Sequence, residues 1–205
     1  MWFKALVQPG GLTDTQLRAT PVPVSGTVST SGLTDTQLRA ASVPVAPAAA
    51  SVKVTAAVTR PANVTPYTAG DVVGGVITFS SFGASNGQLI MLTSAYLRYD
   101  VAAVPTGMAN MRLYLYDATP PSALADNAAW DLPSGDRSNF LGYIDLGTPV
   151  DLGSTLFTQS DGLNKHVALG AATTSLFGYL VTTGGYTPAA NSETFAVVLR
   201  GLAGV

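Results

Sequence analysis

Met111-Arg112-Leu113-Tyr114-Leu115-Tyr116-Asp117 alternates, with the leucines on one side and Arg and Tyr on the other. Such a period of two is the mark of a strand with one face turned to a core. Working outward, the apolar runs beyond residue 50 are short, rich in Val, Ile, Thr, Tyr and Phe, and separated by Gly, Pro, Asn and Asp. That pattern predicts an all-β domain. Strands are expected at Val52–Thr59, Val73–Ser80, Gln88–Tyr99, Met111–Asp117, Leu141–Leu146, Thr155–Gln159, Lys165–Leu169, Phe177–Thr182 and Thr194–Arg200. So many strands suit two packed sheets, because one open sheet would leave a hydrophobic face bare. The expected body is an antiparallel β-sandwich of jelly-roll type over residues 51–205. Asn86-Gly87 reads as a hairpin turn. Thr119–Ser138 is expected to be a long loop, functional or holding a short helix.

Residues 1–50 differ in character. From Thr20 to Ala50 the chain is Pro, Ala, Ser, Thr, Val and Gly with the second of two repeats inside it, and no aromatic residue. It reads as an extended arm or linker, too poor in bulky apolar surface to fold on itself. The phrase GLTDTQLRA stands at Gly11–Ala19 and again at Gly32–Ala40, each followed two residues later by Val-Pro-Val. Thr13 and Gln16 have the spacing of a capping box, and Leu12 and Leu17 that of a hydrophobic staple, with Asp14 in the first turn. Leu33, Thr34, Asp35, Gln37 and Leu38 repeat the arrangement. Pro21, Pro23, Pro44 and Pro47 stop each helix after about one turn, too short to stand alone. The expected docking residues are therefore Leu12, Thr13, Gln16, Leu17 and Arg18, and Leu33, Thr34, Gln37, Leu38 and Arg39. With 21 mostly extended residues from Gly11 to Gly32, the two anchors lie within roughly 70 Å of each other.

Charged residues are 11% of the 205, and the formal net charge is −2. No basic field is present for nucleic acid or an anionic membrane, so neither is an expected partner. Cysteine is absent, which removes disulfides and thiolate metal sites. The opening MWFKALVQPG holds a hydrophobic run too short for a signal peptide or a membrane span.

Catalytic patterns are sparse. Gly83-Ala84-Ser85-Asn86-Gly87 matches G-x-S-x-G, and the single histidine, His166, follows in hydrolase order. A nucleophile elbow needs a helix after the turn, whereas Gln88-Leu89-Ile90-Met91-Leu92 reads as a strand. One histidine cannot build a zinc site. Asp126, Asn127, Asp131 and Asp136 have oxygen ligands for calcium but no EF-hand spacing, and read as turn-formers. Asn63-Val64-Thr65 matches a glycosylation acceptor. Tyr67, Trp130, Tyr143 and Tyr186 are candidates for a sugar platform or for the core. No P-loop or dinucleotide fingerprint occurs, so no cofactor and no catalytic or metal residue is expected.

The repeats resemble the GLTDxQLRAxxVPVSG phrases near the N-termini of tailed-bacteriophage virion proteins. Arg60–Gly74 (RPANVTPYTAGDVVG) and Ala125–Leu132 (ADNAAWDL) are similar to segments of phage head-decoration or head-fibre proteins. Together these cover about a third of the chain. The resemblance implies a non-enzymatic virion structural protein assembled in the host cytoplasm. It further implies a capsid cement protein, homotrimeric, whose partner is the major capsid protein or another virion protein. The alternatives are a tail fibre or baseplate protein whose body binds host glycan, and a hydrolase using Ser85.

Overall fold

The structure is a computed structural model and describes residues 49–204. Its strands are β1 (Ala50–Thr59), β2 (Val72–Phe79), β3 (Leu89–Tyr99), β4 (Met111–Tyr116), β5 (Phe140–Gly147), β6 (Val150–Asp151), β7 (Leu156–Ala168), β8 (Leu176–Thr182) and β9 (Thr194–Ala203). Among the described residues the one helical element is a 3-10 turn at Arg137–Asn139.

The pairing is nested. β1 pairs with β9, β2 with β8, β3 with β7 and β4 with β5, all antiparallel. The chain is thus one long hairpin whose bend is the connection from β4 to β5. Rolling that hairpin places β9 beside β3 and β8 beside β4, which gives two sheets, β1-β9-β3-β7-β6 and β2-β8-β4-β5. This is the jelly roll expected from the sequence. The inner faces supply the main core, including Phe79, Ile90, Leu92, Leu97, Leu113, Leu115, Leu180, Phe195, Val197 and Leu199. Connections after β1, β3, β5 and β8 gather at one end, and those after β2, β4 and β7 at the other, with the start of β1 and the end of β9.

Three expectations need revision. Asn86-Gly87 does lie in a turn, with Gly87 at φ 68°, but β2 and β3 belong to different sheets, so the turn is a crossover and not a hairpin. The two strands expected at Thr155–Gln159 and Lys165–Leu169 are one strand, β7. Ser160-Asp161-Gly162 looks like a break, yet β3 holds the ladder on both sides of a bulge. Gly162 and Asn164 absorb the extra residues with φ of 66° and 43°. Third, β4 is buried on both faces rather than one. Its outer residues Tyr114 and Tyr116 form a second cluster with Val72, Tyr179 and Val181, beneath Leu124, Trp130 and Leu132 of the long connection.

Candidate functional site

The ten docking residues expected at Leu12–Arg18 and Leu33–Arg39 lie outside the described residues. The other sequence candidates can be placed. Ser85 is exposed in the crossover turn, where Gln88 Oε1 accepts hydrogen bonds from the amides of Ala84 (2.7 Å) and Ser85 (3.3 Å). A strand follows it, so the elbow geometry is missing. His166 is exposed on β7 opposite Met91. Each candidate calcium ligand has a local task instead. Asp136 is buried and accepts from Ser122, both hydroxyl (2.5 Å) and amide (3.2 Å). Asp131 accepts from the amide of Leu132 (2.7 Å), and Asn127 turns the chain at φ 61°. Among the described residues no three Asp, Glu or His side chains converge. The four aromatic candidates do not share a surface: Tyr67 and Tyr186 are buried and stacked 4.9 Å apart, whereas Trp130 stacks on Tyr114 at 3.9 Å and Tyr143 is half exposed beside it.

The two body segments that carry the phage resemblance meet each other. Trp130 N donates to Gly70 O, Asn127 N to Val72 O and Val72 N to Ala128 O, each at 2.8 Å. Asp126 accepts from the Tyr67 hydroxyl at 2.6 Å and from the Gly74 amide at 2.8 Å. Gly74 reaches it through a β2 bulge at φ 81°, where an added Cβ would stand 2.1 Å from Val58 Cγ1. Only glycine fits there. The lock continues inward: Arg60, 2% exposed, donates to Tyr67 and pairs with buried Glu193 at 3.3 Å, and Glu193 also accepts from Tyr99 and from the Ala190 amide. Burial, reinforced by the bond to Glu193, pushes the Tyr99 phenol far up, and burial with the bond to Asp126 does the same to Tyr67. These segments hold the fold together. Their chemistry is used up internally.

The outer face of β1-β9-β3-β7 is different, and sequence reasoning did not find it. Register sets its side chains in three rungs: Ala57, Ala196, Arg98 and Phe157; then Thr55, Val198, Tyr96 and Gln159; then Lys53, Arg200, Ser94 and Asp161. Tyr96 stacks on Phe157 with centroids 5.9 Å apart, and the Arg200 guanidinium lies 5.1 Å over the Tyr96 ring. Lys53 stands directly across from Arg200, a like-charge pair that a sheet disfavours. Among the described residues none of Lys53, Arg98 and Arg200 has a carboxylate within ion-pair distance. Two recesses of about 280 and 380 Å³ meet at Arg98, one lined by Lys53, Tyr96, Val198 and Arg200, the other by Ala57, Asp100 and Ala196. No signal local to the sequence joins Lys53 to Arg200. The juxtaposition exists only once the first strand pairs with the last.

No protein-family model matches this chain, and no curated protein does. Among solved structures it is similar to a chain of the semi-empty virus-like particle of Macrobrachium rosenbergii nodavirus, at 12% identity over 76% of this chain and 93% of that one, with a TM-score of 0.28. It is similar also to a chain of the Israeli acute paralysis virus particle (13%, 75% and 71%, TM-score 0.29). A mud crab tombus-like virus chain gives 14% identity over 99% and 92%, with a TM-score of 0.30. The jelly-roll topology rests on this chain's own strand order.

Proposed function

We propose that this chain is a non-enzymatic structural protein of a tailed-phage virion, a capsid decoration protein attached through residues 1–50 and displaying a jelly-roll body. The duplicated GLTDTQLRA phrase carries the reading. Each copy encodes a capped, stapled turn that is stable only on a partner surface, and two copies on one linker raise the effective concentration of the second contact. The body supports this by what it does with its polar residues. Ser85 lacks the elbow, and Asp126, Asp136 and Glu193 are committed to holding loops.

The partner is the major capsid protein or a neighbouring virion protein, and a homotrimer would multiply the arms. Co-sedimentation of the full chain and of residues 51–205 with phage heads lacking the protein tests attachment. The shortened chain should melt as a folded body and fail to sediment with heads; undiminished binding would overturn the proposal. Leu17→Asp with Leu38→Asp should weaken sedimentation of the full chain while its melting temperature stays put. Counting chains per particle separates head from tail, since copies in proportion to capsid subunits mean head and a handful mean tail.

A further inference from the structure

We infer that the outer face of β1-β9-β3-β7 is a binding site for an acidic oligosaccharide, one carrying carboxylates along an apolar-faced chain. This inference does not depend on how the protein is attached. Three of the ten Lys and Arg residues of a chain with net charge −2 stand on this one face. Lys53 and Arg200 oppose each other at one corner, and Arg98 lies two rungs away on the next strand, on the order of 14 Å off. Like charges held together, with no carboxylate of the described residues in ion-pair distance, favour an anion from outside. Arg200 is already fixed over Tyr96. Its guanidinium is therefore oriented before a carboxylate arrives.

Between the two positive ends lies a floor of Ala196 and the edge of Tyr96, with Val198 buried between them. Such a floor accepts the C–H face of a sugar ring, and Gln159 at its side offers an amide. Asp161 shares the rung of Arg200, one strand beyond Ser94, and accepts from Gln159 and, at 3.5 Å, from the Tyr96 hydroxyl. Its charge opposes an anion on its side of the corner, but it pairs with neither Lys53 nor Arg200. Asp100 lines the far recess beside Arg98 and is the one carboxylate there that opposes an anion. An acidic peptide fits this site less well. Sheets capture peptides at their edges, where backbone groups are unpaired. β1, and β7 beyond Phe157, offer such edges, but the recesses lie on the face, over β9 and β3, whose backbones are paired on both sides. The recesses also have the size of small-ligand sites, not of a protein interface.

Calorimetric titration of the full chain at low salt tests the site, with short oligogalacturonate as probe, neutral maltooligosaccharide of equal length as control and poly-L-glutamate as the peptide competitor. Oligogalacturonate should bind and weaken with added salt, and the maltooligosaccharide should not bind. Lys53→Gln with Arg200→Gln should weaken oligogalacturonate about tenfold, Arg98→Gln should weaken it less, and Asp100→Asn should tighten it, all with unchanged melting temperature. The inference is overturned if oligogalacturonate does not bind, if these variants leave its affinity unchanged, or if poly-L-glutamate binds the same residues as tightly.

Discussion

On the outside of the four-stranded sheet, Tyr114, Tyr116 and Tyr179 lie beneath the chain's own β4–β5 connection; on the outside of the five-stranded sheet, Tyr96, Arg98 and Arg200 face open recesses. Both sheets turn aliphatic residues inward, so the inner faces cannot explain the difference. The outer residues do. Three tyrosines beside the paired Val72 and Val181 make a patch too apolar to leave wet, and the long connection lays Leu124, Trp130 and Leu132 across it. The opposite face carries fewer bulky apolar groups, and these shelter one another: Val198 is buried, Tyr96 stacks on Phe157 and lies under Arg200, and the rest are alanine, threonine and polar or charged side chains. What is left open is then available to a partner.

That contrast can be attacked at its strongest point first. Glu193→Ala strands buried Arg60 and frees Tyr99 and the Ala190 amide, releasing the lock behind the cover. Urea denaturation should show a loss of about 3–5 kcal/mol. Alkaline pH acts on the cover itself, since burial pushes the Tyr116 phenol up to about 12 from its ordinary 10.0. A phenol raised on folding favours the folded state fully below pH 10 and withdraws that support as pH climbs toward 12. Stability should be flat to about pH 9.5 and then fall, Tyr116 accounting for about 2–3 kcal/mol by pH 12. With Tyr116→Phe the fall should be shallower, and an unchanged slope would argue against burial of that hydroxyl.

Trp130→Ala removes a ring stacked at 3.9 Å on Tyr114 but only partly buried. It should cost about 2–3 kcal/mol in the same assay and speed amide exchange in residues 122–132. The smallest effect belongs to the open face. Arg98→Gln should change stability by no more than about 0.5 kcal/mol, and a larger loss would mean that the face is packed against something.

The strands themselves were legible because period-two patterning is local, and β4 shows it within Met111–Tyr116. Their partners were not. β1 and β9 are nearly at opposite ends of the body sequence, and nothing local states that Lys53 meets Arg200. The same blindness split β7 at Asp161-Gly162, a pair that favours turns until β3 imposes a ladder on both sides. Tyr114 and Tyr116 read as a solvent face because the sequence of β4 does not reveal that a connection folds back over it. Sequence resemblance pointed to Arg60–Gly74 and Ala125–Leu132, and the structure gives these a mechanical reason to matter: they hold that connection down.

The difference between the two outer faces is tested most directly by mapping chemical-shift changes in the isotopically labelled full chain as oligogalacturonate is added. Changes should cluster on Lys53, Tyr96, Arg98, Gln159 and Arg200, with Tyr114, Trp130 and Tyr143 silent. Changes centred on Trp130 and Tyr143, with the Lys53 and Arg200 face silent, would contradict the account.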